Sequence, residues 1–327
     1  MARRRRRSIG TALAVLAVSA GASTAYAAWS ATTGPPAASF ASLPDWTVPT
    51  ASPVAIQKGG ATTAGYANGY VKPGGQYYVY SQVAADTGNP ASGIASPGGV
   101  AANLVNITSG QSAAALTSGS FASMGTSYNY RAGPFTVSAA AGNALYTVTT
   151  KDTAGNLAVT PNQTVVVDGT APTGTDVQAN RVGGTAGKAE AGDKLVFTFS
   201  EPIDPDSLVS GWDGTSRNIT LRIVNGGGAA DTIELWDGAT KIAAMGTVTL
   251  PAKNYVTATV DFTSSPMVLS GSTLTVTLGS TTGGASVGAG TAGAIKWVPT
   301  ATLYDRAGNK LVSSTVTETG APADAEF

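Results

Sequence analysis

The stretch YTVTTKDTAGNLAVTPNQTVVVDGTAPT, residues 146–173, predicts how this chain folds. Its first part alternates apolar and polar side chains, which is the period of a half-buried β-strand. The pentapeptide DTAGN at residues 152–156 follows, and a second run rich in β-branched residues comes after it. A strand, a turn and another strand predict a β-hairpin, so the stretch favours an all-β fold.

The pentapeptide returns with one change as DRAGN at residues 305–309, which is 305 − 152 = 153 residues later. We interpret both copies as structural turns. Aspartate can cap a turn through its side chain, glycine permits a positive φ, and asparagine tolerates the left-handed region. The predicted turn residues are Asp152, Gly155, Asn156, Asp305, Gly308 and Asn309. A spacing of about one domain length predicts a repeat of architecture.

Alternating segments recur along the chain, for example QYYVYSQV at 76–83, KLVFTF at 194–199 and STLTVTL at 272–278. Many short strands separated by turn-forming residues are typical of a β-sandwich. One helical turn is predicted at DPDSLVS, with Asp204 as its N-cap. The sequence predicts two tandem β-sandwich domains, at residues 68–170 and 171–327, after a Pro/Ala/Ser/Thr-rich linker at 28–67.

The amino terminus predicts export. Arginines occupy positions 3–7, an apolar stretch follows, and AYA at residues 25–27 fits the rule for signal-peptide cleavage. We expect a signal peptide at residues 1–27 and no transmembrane anchor once it is removed. The alternative is an uncleaved membrane anchor.

Composition excludes several kinds of site. The 327 residues contain no cysteine and no histidine. Disulfides, thiol nucleophiles, histidine zinc sites and a Ser-His-Asp triad are therefore excluded. The chain carries 19 basic and 19 acidic residues, and removing the five signal-peptide arginines gives 14 − 19 = −5. We expect no nucleic-acid partner, because no basic stripe remains.

Two segments resemble known families. Residues 146–173 are similar to the closing hairpin and interdomain linker of bacterial immunoglobulin-like domains, which occur in tandem on secreted and surface proteins. LVFTFSEPIDPDSL, residues 195–208, resembles the opening strand and loop of the immunoglobulin-like domains of S-layer and cell-surface proteins. The resemblances cover about residues 70–172 and 173–320. They imply that both predicted β-sandwiches, at residues 68–170 and 171–327, are immunoglobulin-like domains. They also imply extracellular scaffolding, adhesion or spacing, with no catalytic residues to transfer.

Two kinds of binding site are alternatives to a purely structural role. A structural Ca²⁺ at Asp86, Asp152 and Asp168 is one, although the turn interpretation is preferred because Ca²⁺ needs about six to eight oxygens. Otherwise no cofactor is expected. Carbohydrate stacking on exposed aromatics is the other, with Trp212, Trp236 and Trp297 as the candidates.

An enzyme is not predicted. A glycosidase is the chemistry that the remaining residue types allow, because it needs only paired carboxylates, and Glu201, Asp204 and Asp206 are the densest acidic group. The sequence favours instead a secreted bacterial structural or adhesive protein of the cell surface or extracellular matrix. Its expected partner is an envelope or matrix component, a glycan or a protein.

Overall fold

The computed structural model describes residues 45–60, 68–88, 90–253, 255–282 and 293–320. The predicted signal peptide and most of the predicted linker lie outside these residues. The chain from Asp45 onward forms one compact unit. The all-β prediction is confirmed: in the described part, helix is confined to two 3-10 turns, Pro205–Ser207 and Ala243–Met245.

The N-terminal lobe contains two sheets. The four-stranded sheet has the order β1-β3-β7-β6, and the six-stranded sheet has the order β2-β10-β8-β4-β5 with β9 paired to β8. The strands are β1 Ala51–Lys58, β2 Tyr70–Val71, β3 Gln76–Val83, β4 Val100–Asn103, β5 Ala114–Ala115, β6 Thr117–Ser123, β7 Thr126–Thr136, β8 Gly142–Lys151, β9 Leu157–Val159 and β10 Gln163–Val167.

The C-terminal lobe contains one sheet of eleven strands, in the order β11-β12-β18-β17-β13-β14-β16-β20-β21, with β15 paired to β14 and β19 paired to β17. The strands are β11 Gly174–Asn180, β12 Lys194–Phe199, β13 Arg217–Val224, β14 Ala230–Asp237, β15 Thr240–Lys241, β16 Thr247–Lys253, β17 Val260–Ser270, β18 Thr273–Thr277, β19 Ser280–Thr282, β20 Lys296–Val298 and β21 Val316–Thr317. The two end strands meet, because Thr319 beyond β21 donates its backbone N–H to Asp176 of β11.

Each lobe has its own hydrophobic core, formed by the apolar face of the alternating strands. In β3, Tyr77 and Val79 are fully buried, whereas Tyr78 between them is half-buried on the other face. In β12, Leu195 and Phe197 are fully buried in the same way. Burying one face of each strand fixes its register, since a one-residue slip would expose the whole apolar set. The sheets are sandwich-like and compatible with an immunoglobulin-like fold.

Three features differ from the sequence-based expectation. Strand β1 joins the N-terminal lobe, so this lobe begins before residue 68. The second set of strands forms one continuous sheet whose ends meet. The segment TATLYD at residues 300–305 alternates apolar and polar residues, as a strand would. It contributes only isolated bridges, because its backbone pairs with Ile203 and Lys310 one residue at a time. The predicted helical turn is confirmed: Asp204 caps Pro205–Ser207 by accepting from the backbone N–H of Asp206.

The two DxAGN turns have nearly the same geometry. In the first, Asn156 donates its backbone N–H to Oδ1 of Asp152 and its side-chain amide to Oδ2, each at 2.7 Å. In the second, Asn309 makes the same two hydrogen bonds to Asp305, each at 2.8 Å. Both aspartates are buried, with 0% and 2% of their surface exposed. The carboxylate therefore closes each turn from the inside.

Gly155 and Gly308 hold the fourth position of each turn with φ of +100° and +93°. A Cβ at Gly155 would meet nothing within 4 Å, so the constraint there is backbone strain. Gly155→Val is expected to lower the Tm of the N-terminal lobe, and Gly308→Val that of the C-terminal lobe, each by a destabilisation of about 1 kcal/mol or more. Thermal and denaturant unfolding measure both. Gly183→Val is the control, since that glycine has open space and no positive φ; a control as destabilised as the two turn variants would contradict the strain argument.

Candidate functional site

Three carboxylates converge at the first DxAGN turn. Asp45, Asp86 and Asp152 each place a carboxylate oxygen within 4.8 Å of the others. We call this group the first triad. It brings together two of the three predicted calcium ligands, Asp86 and Asp152, and adds Asp45, which the sequence analysis did not single out. The third predicted ligand, Asp168, lies elsewhere.

The carboxylate oxygens of the first triad already accept hydrogen bonds. Asp45 accepts from the backbone N–H groups of Thr47 and Ser92, and hydrogen bonds from these two residues lower the pKa of Asp45. Asp86 accepts from the backbone N–H of Gly93 at 2.8 Å and, through its other oxygen, from the hydroxyl of Thr47. Backbone and hydroxyl donors therefore balance much of the negative charge at this turn.

A second triad surrounds the second turn. Asp168, Glu201 and Asp305 also place carboxylate oxygens within 4.8 Å of one another. Here the charge is less well compensated, because Oε1 of Glu201 is buried and accepts no hydrogen bond. Burial first, and then the negative charges of Asp168 and Asp305, raise the pKa of Glu201 to about 7.

The two triads are related by the internal repeat. The turn asparagine donates its side-chain amide to the backbone oxygen of Asp45 in the first case and of Asp168 in the second, both at 2.8 Å. The signal that could have located Asp45 is the motif DxTxPT, which occurs at residues 45–50 and again at 168–173. Glu201 occupies the place of Asp86, since each precedes the isoleucine, Ile94 or Ile203, that bridges to the turn aspartate.

The second turn also contacts the N-terminal lobe. Lys58 at the end of β1 pairs with Asp204 at 2.5 Å and donates to the backbone oxygen of Asp305 at 3.2 Å. Lys72 donates to the backbone oxygen of Gly308 at 2.8 Å. Two basic residues of one lobe therefore donate hydrogen bonds to carbonyl oxygens of the other, and one of them also pairs with a carboxylate. Burial, outweighing the favourable charge of Lys58, raises the pKa of Asp204.

Two of the three candidate tryptophans are core residues. Trp297 is fully buried, donates its Nε1–H to the backbone oxygen of Met245 and packs edge-on against Phe197 and Phe199. Trp212 has 3% of its surface exposed. The expectation that Trp212 is an exposed aromatic is therefore wrong: its loop is polar in sequence, but the indole folds inward, where its N–H bonds the backbone oxygen of Thr215.

Trp236 is the third candidate and lies half-buried on β14. The guanidinium of Arg222 lies 4.8 Å from the centre of its ring, and its Nε1–H donates to Glu234 at 2.9 Å. Arg222 is also held by a bidentate pair with Asp261. One face of the indole is thus covered by a fixed cation.

A separate aromatic cluster lies on the N-terminal lobe, apart from its core. Tyr80 and Tyr128 are buried together with ring centroids 5.4 Å apart, and Tyr78 and Phe121 pack beside them half-buried. The guanidinium of Arg131 lies 4.9 Å from the ring centre of Tyr78 and 4.5 Å from that of Phe121. We call these five residues the aromatic cluster.

No protein-family model matches this chain, and no curated protein sequence matches it either. Among the residues that the structure describes, no helix has the length and apolar character needed to cross a membrane.

Glu201 makes stability depend on pH. Its pKa is about 7 in the folded protein against an ordinary value of 4.5, so the folded state holds a proton that the unfolded chain has released. The free energy of unfolding should therefore fall as the pH rises from about 4.5 to 7. Glu201→Gln should remove that part of the slope, measured by denaturant unfolding across this range. Glu190→Gln, outside both triads, is the control and should follow the wild type; a Glu201→Gln profile parallel to the wild type would contradict the assignment.

The dependence of thermal stability on Ca²⁺ distinguishes a structural turn from an ion-binding site. Thermal melts of the wild type in Ca²⁺ and in chelator are expected to overlay, because protein donors already occupy the oxygens of the first triad. A calcium-dependent rise in Tm that disappears in Asp152→Ala would instead place an ion in the first triad. A rise that disappears only in Glu201→Gln would place it in the second, and either result contradicts the expectation.

Proposed function

We propose that this chain is a secreted, non-catalytic structural or adhesive protein of the bacterial cell surface or extracellular matrix, built from immunoglobulin-like domains. The observation that carries the proposal is the duplicated turn. The same arrangement, a buried aspartate bonded by an asparagine, occurs twice. In the second copy, Asn309 bonds the backbone oxygen of Asp168 at the start of the C-terminal lobe. The same turn accepts hydrogen bonds from Lys58 and Lys72 of the N-terminal lobe. We take a repeated unit that is joined to the next through its closing turn as the architecture expected of a spacer protein.

The acidic group that would serve a glycosidase has structural partners. Asp204 pairs with Lys58 and caps a 3-10 turn, and Asp206 accepts from the hydroxyl of Tyr304 and the backbone N–H of Gly211. These contacts support a structural role for the carboxylates. A cleft of about 150 Å³, lined by Thr50, Val159 and their neighbours, is smaller than the roughly 300–1,000 Å³ usual for small-molecule sites.

Carbohydrate binding is the second candidate, and the aromatic cluster favours it. Tyr78, Phe121 and Arg131 are half-buried, and the guanidinium of Arg131 lies over both rings. Aromatic rings that are apolar at one side and polar at the other suit sugar contacts. Trp212 and Trp297 are not available for this role because they are buried.

Fractionation of the producing cells tests the proposal. We expect the protein in the envelope, the matrix or the medium, with a mature amino terminus at Ala28 determined by mass spectrometry. Deleting the gene should weaken cell–cell or cell–surface cohesion, and complementation should restore it. Material that stays in the cytoplasm and keeps the arginines at residues 3–7 would refute export and the function with it.

A further inference from the structure

Lys58 and Asp204 form an unusual contact between the two lobes. The ammonium nitrogen lies 2.5 Å from Oδ2 of the carboxylate, and the side chains are 12% and 2% exposed. This ion pair is shorter and more buried than four other ion pairs of the described residues, which are Lys188–Glu190, Arg217–Asp237, Arg222–Asp261 and Lys241–Glu234. The other four lie within the C-terminal lobe, on surfaces that water reaches more easily.

The surroundings hold both partners in place. The nitrogen of Lys58 lies 4.6 Å from the centre of the Tyr304 ring and donates to the backbone oxygen of Asp305. The other oxygen of Asp204 accepts from the backbone N–H of Asp206 at 3.0 Å. The amine is thus directed at one side of the carboxyl group while a fixed donor polarises the other.

Burial makes an ion pair an expensive arrangement here. Two buried charges lose their hydration, and their mutual attraction often fails to recover that loss. Burial raises the pKa of Asp204, which favours its uncharged carboxyl form. The contact holds the Lys58 nitrogen against the Asp204 carboxyl group, and groups held together in this way can react at very high effective concentrations.

We propose that Lys58 and Asp204 condense to an isopeptide bond that joins the two lobes covalently. The Nζ–Cγ bond forms and the Cγ–Oδ2 bond breaks. Oδ2 leaves as water with two of the three ammonium protons, and the third stays on the amide nitrogen. The step involves no oxidation or reduction and no co-reactant.

The backbone N–H of Asp206 has a defined part in this step. It already bonds Oδ1 of Asp204, where negative charge develops as the tetrahedral intermediate forms. The product replaces two buried charges by one neutral amide. It also fixes residues 146 positions apart in the chain, so the lobes could not separate without breaking a covalent bond.

Peptide mapping of the purified full chain tests the proposal. The protein is denatured, digested with trypsin and analysed by mass spectrometry. We expect the peptides that contain Lys58 and Asp204 to appear joined, lighter than their sum by one water molecule, with cleavage after Lys58 lost. Separate peptides at their unmodified masses, with normal cleavage after Lys58, would overturn the proposal and leave an ordinary buried ion pair.

Two controls make the result specific. Lys58→Arg keeps the positive charge but not the nucleophilic amine, so the Asp204 peptide should return to its unmodified mass. Lys241 and Glu234 form a matched lysine–carboxylate pair at 2.7 Å, with 40% and 22% exposure. Both residues lie in the tryptic peptide 223–241, which should appear at its unmodified mass with normal cleavage after Lys241, because water solvates both charges. Linkage at this exposed pair as well would refute the claim that burial drives the reaction.

Discussion

The buried carboxylate of the DxAGN turn is the constraint on which much of this structure depends. A charged group without exposed surface is costly unless hydrogen bonds satisfy it. Asp152 and Asp305 meet that condition through the backbone and side chain of the asparagine four positions later. The same asparagine reaches a carbonyl at the beginning of its lobe. One turn thereby ties the end of a lobe to its start.

The repeat of this arrangement has unequal consequences in its two copies. In the first, serine, threonine and glycine donors surround the triad. In the second, the longer side chain of Glu201 brings a buried oxygen without a donor close to two further carboxylates. The second copy also meets Lys58 and Lys72 of the other lobe. Negative charge from one lobe and positive charge from the other therefore face each other where the lobes meet.

How much of the site could be predicted depended on whether local chemistry decided it. The turn residues were predicted because aspartate, glycine and asparagine are chosen for backbone reasons that act within five residues. Asp86 and Asp152 were expected to be close, and they are. Asp45 and the partnership of Asp168 with Glu201 were missed, because no local pattern shows which distant segments meet at each turn. Trp212 was misjudged because a polar loop can still turn one large side chain inward.

The sequence by itself determined that the chain is all-β, where most strands alternate, and that one turn design is used twice. These follow from period-two burial and from φ preferences, which are local properties. Only the tertiary structure decided that β1 belongs to the first lobe, that the second lobe is one sheet whose ends meet, and that Lys58 faces Asp204. Pairings across 146 residues depend on how whole sheets pack, and no local pattern records them.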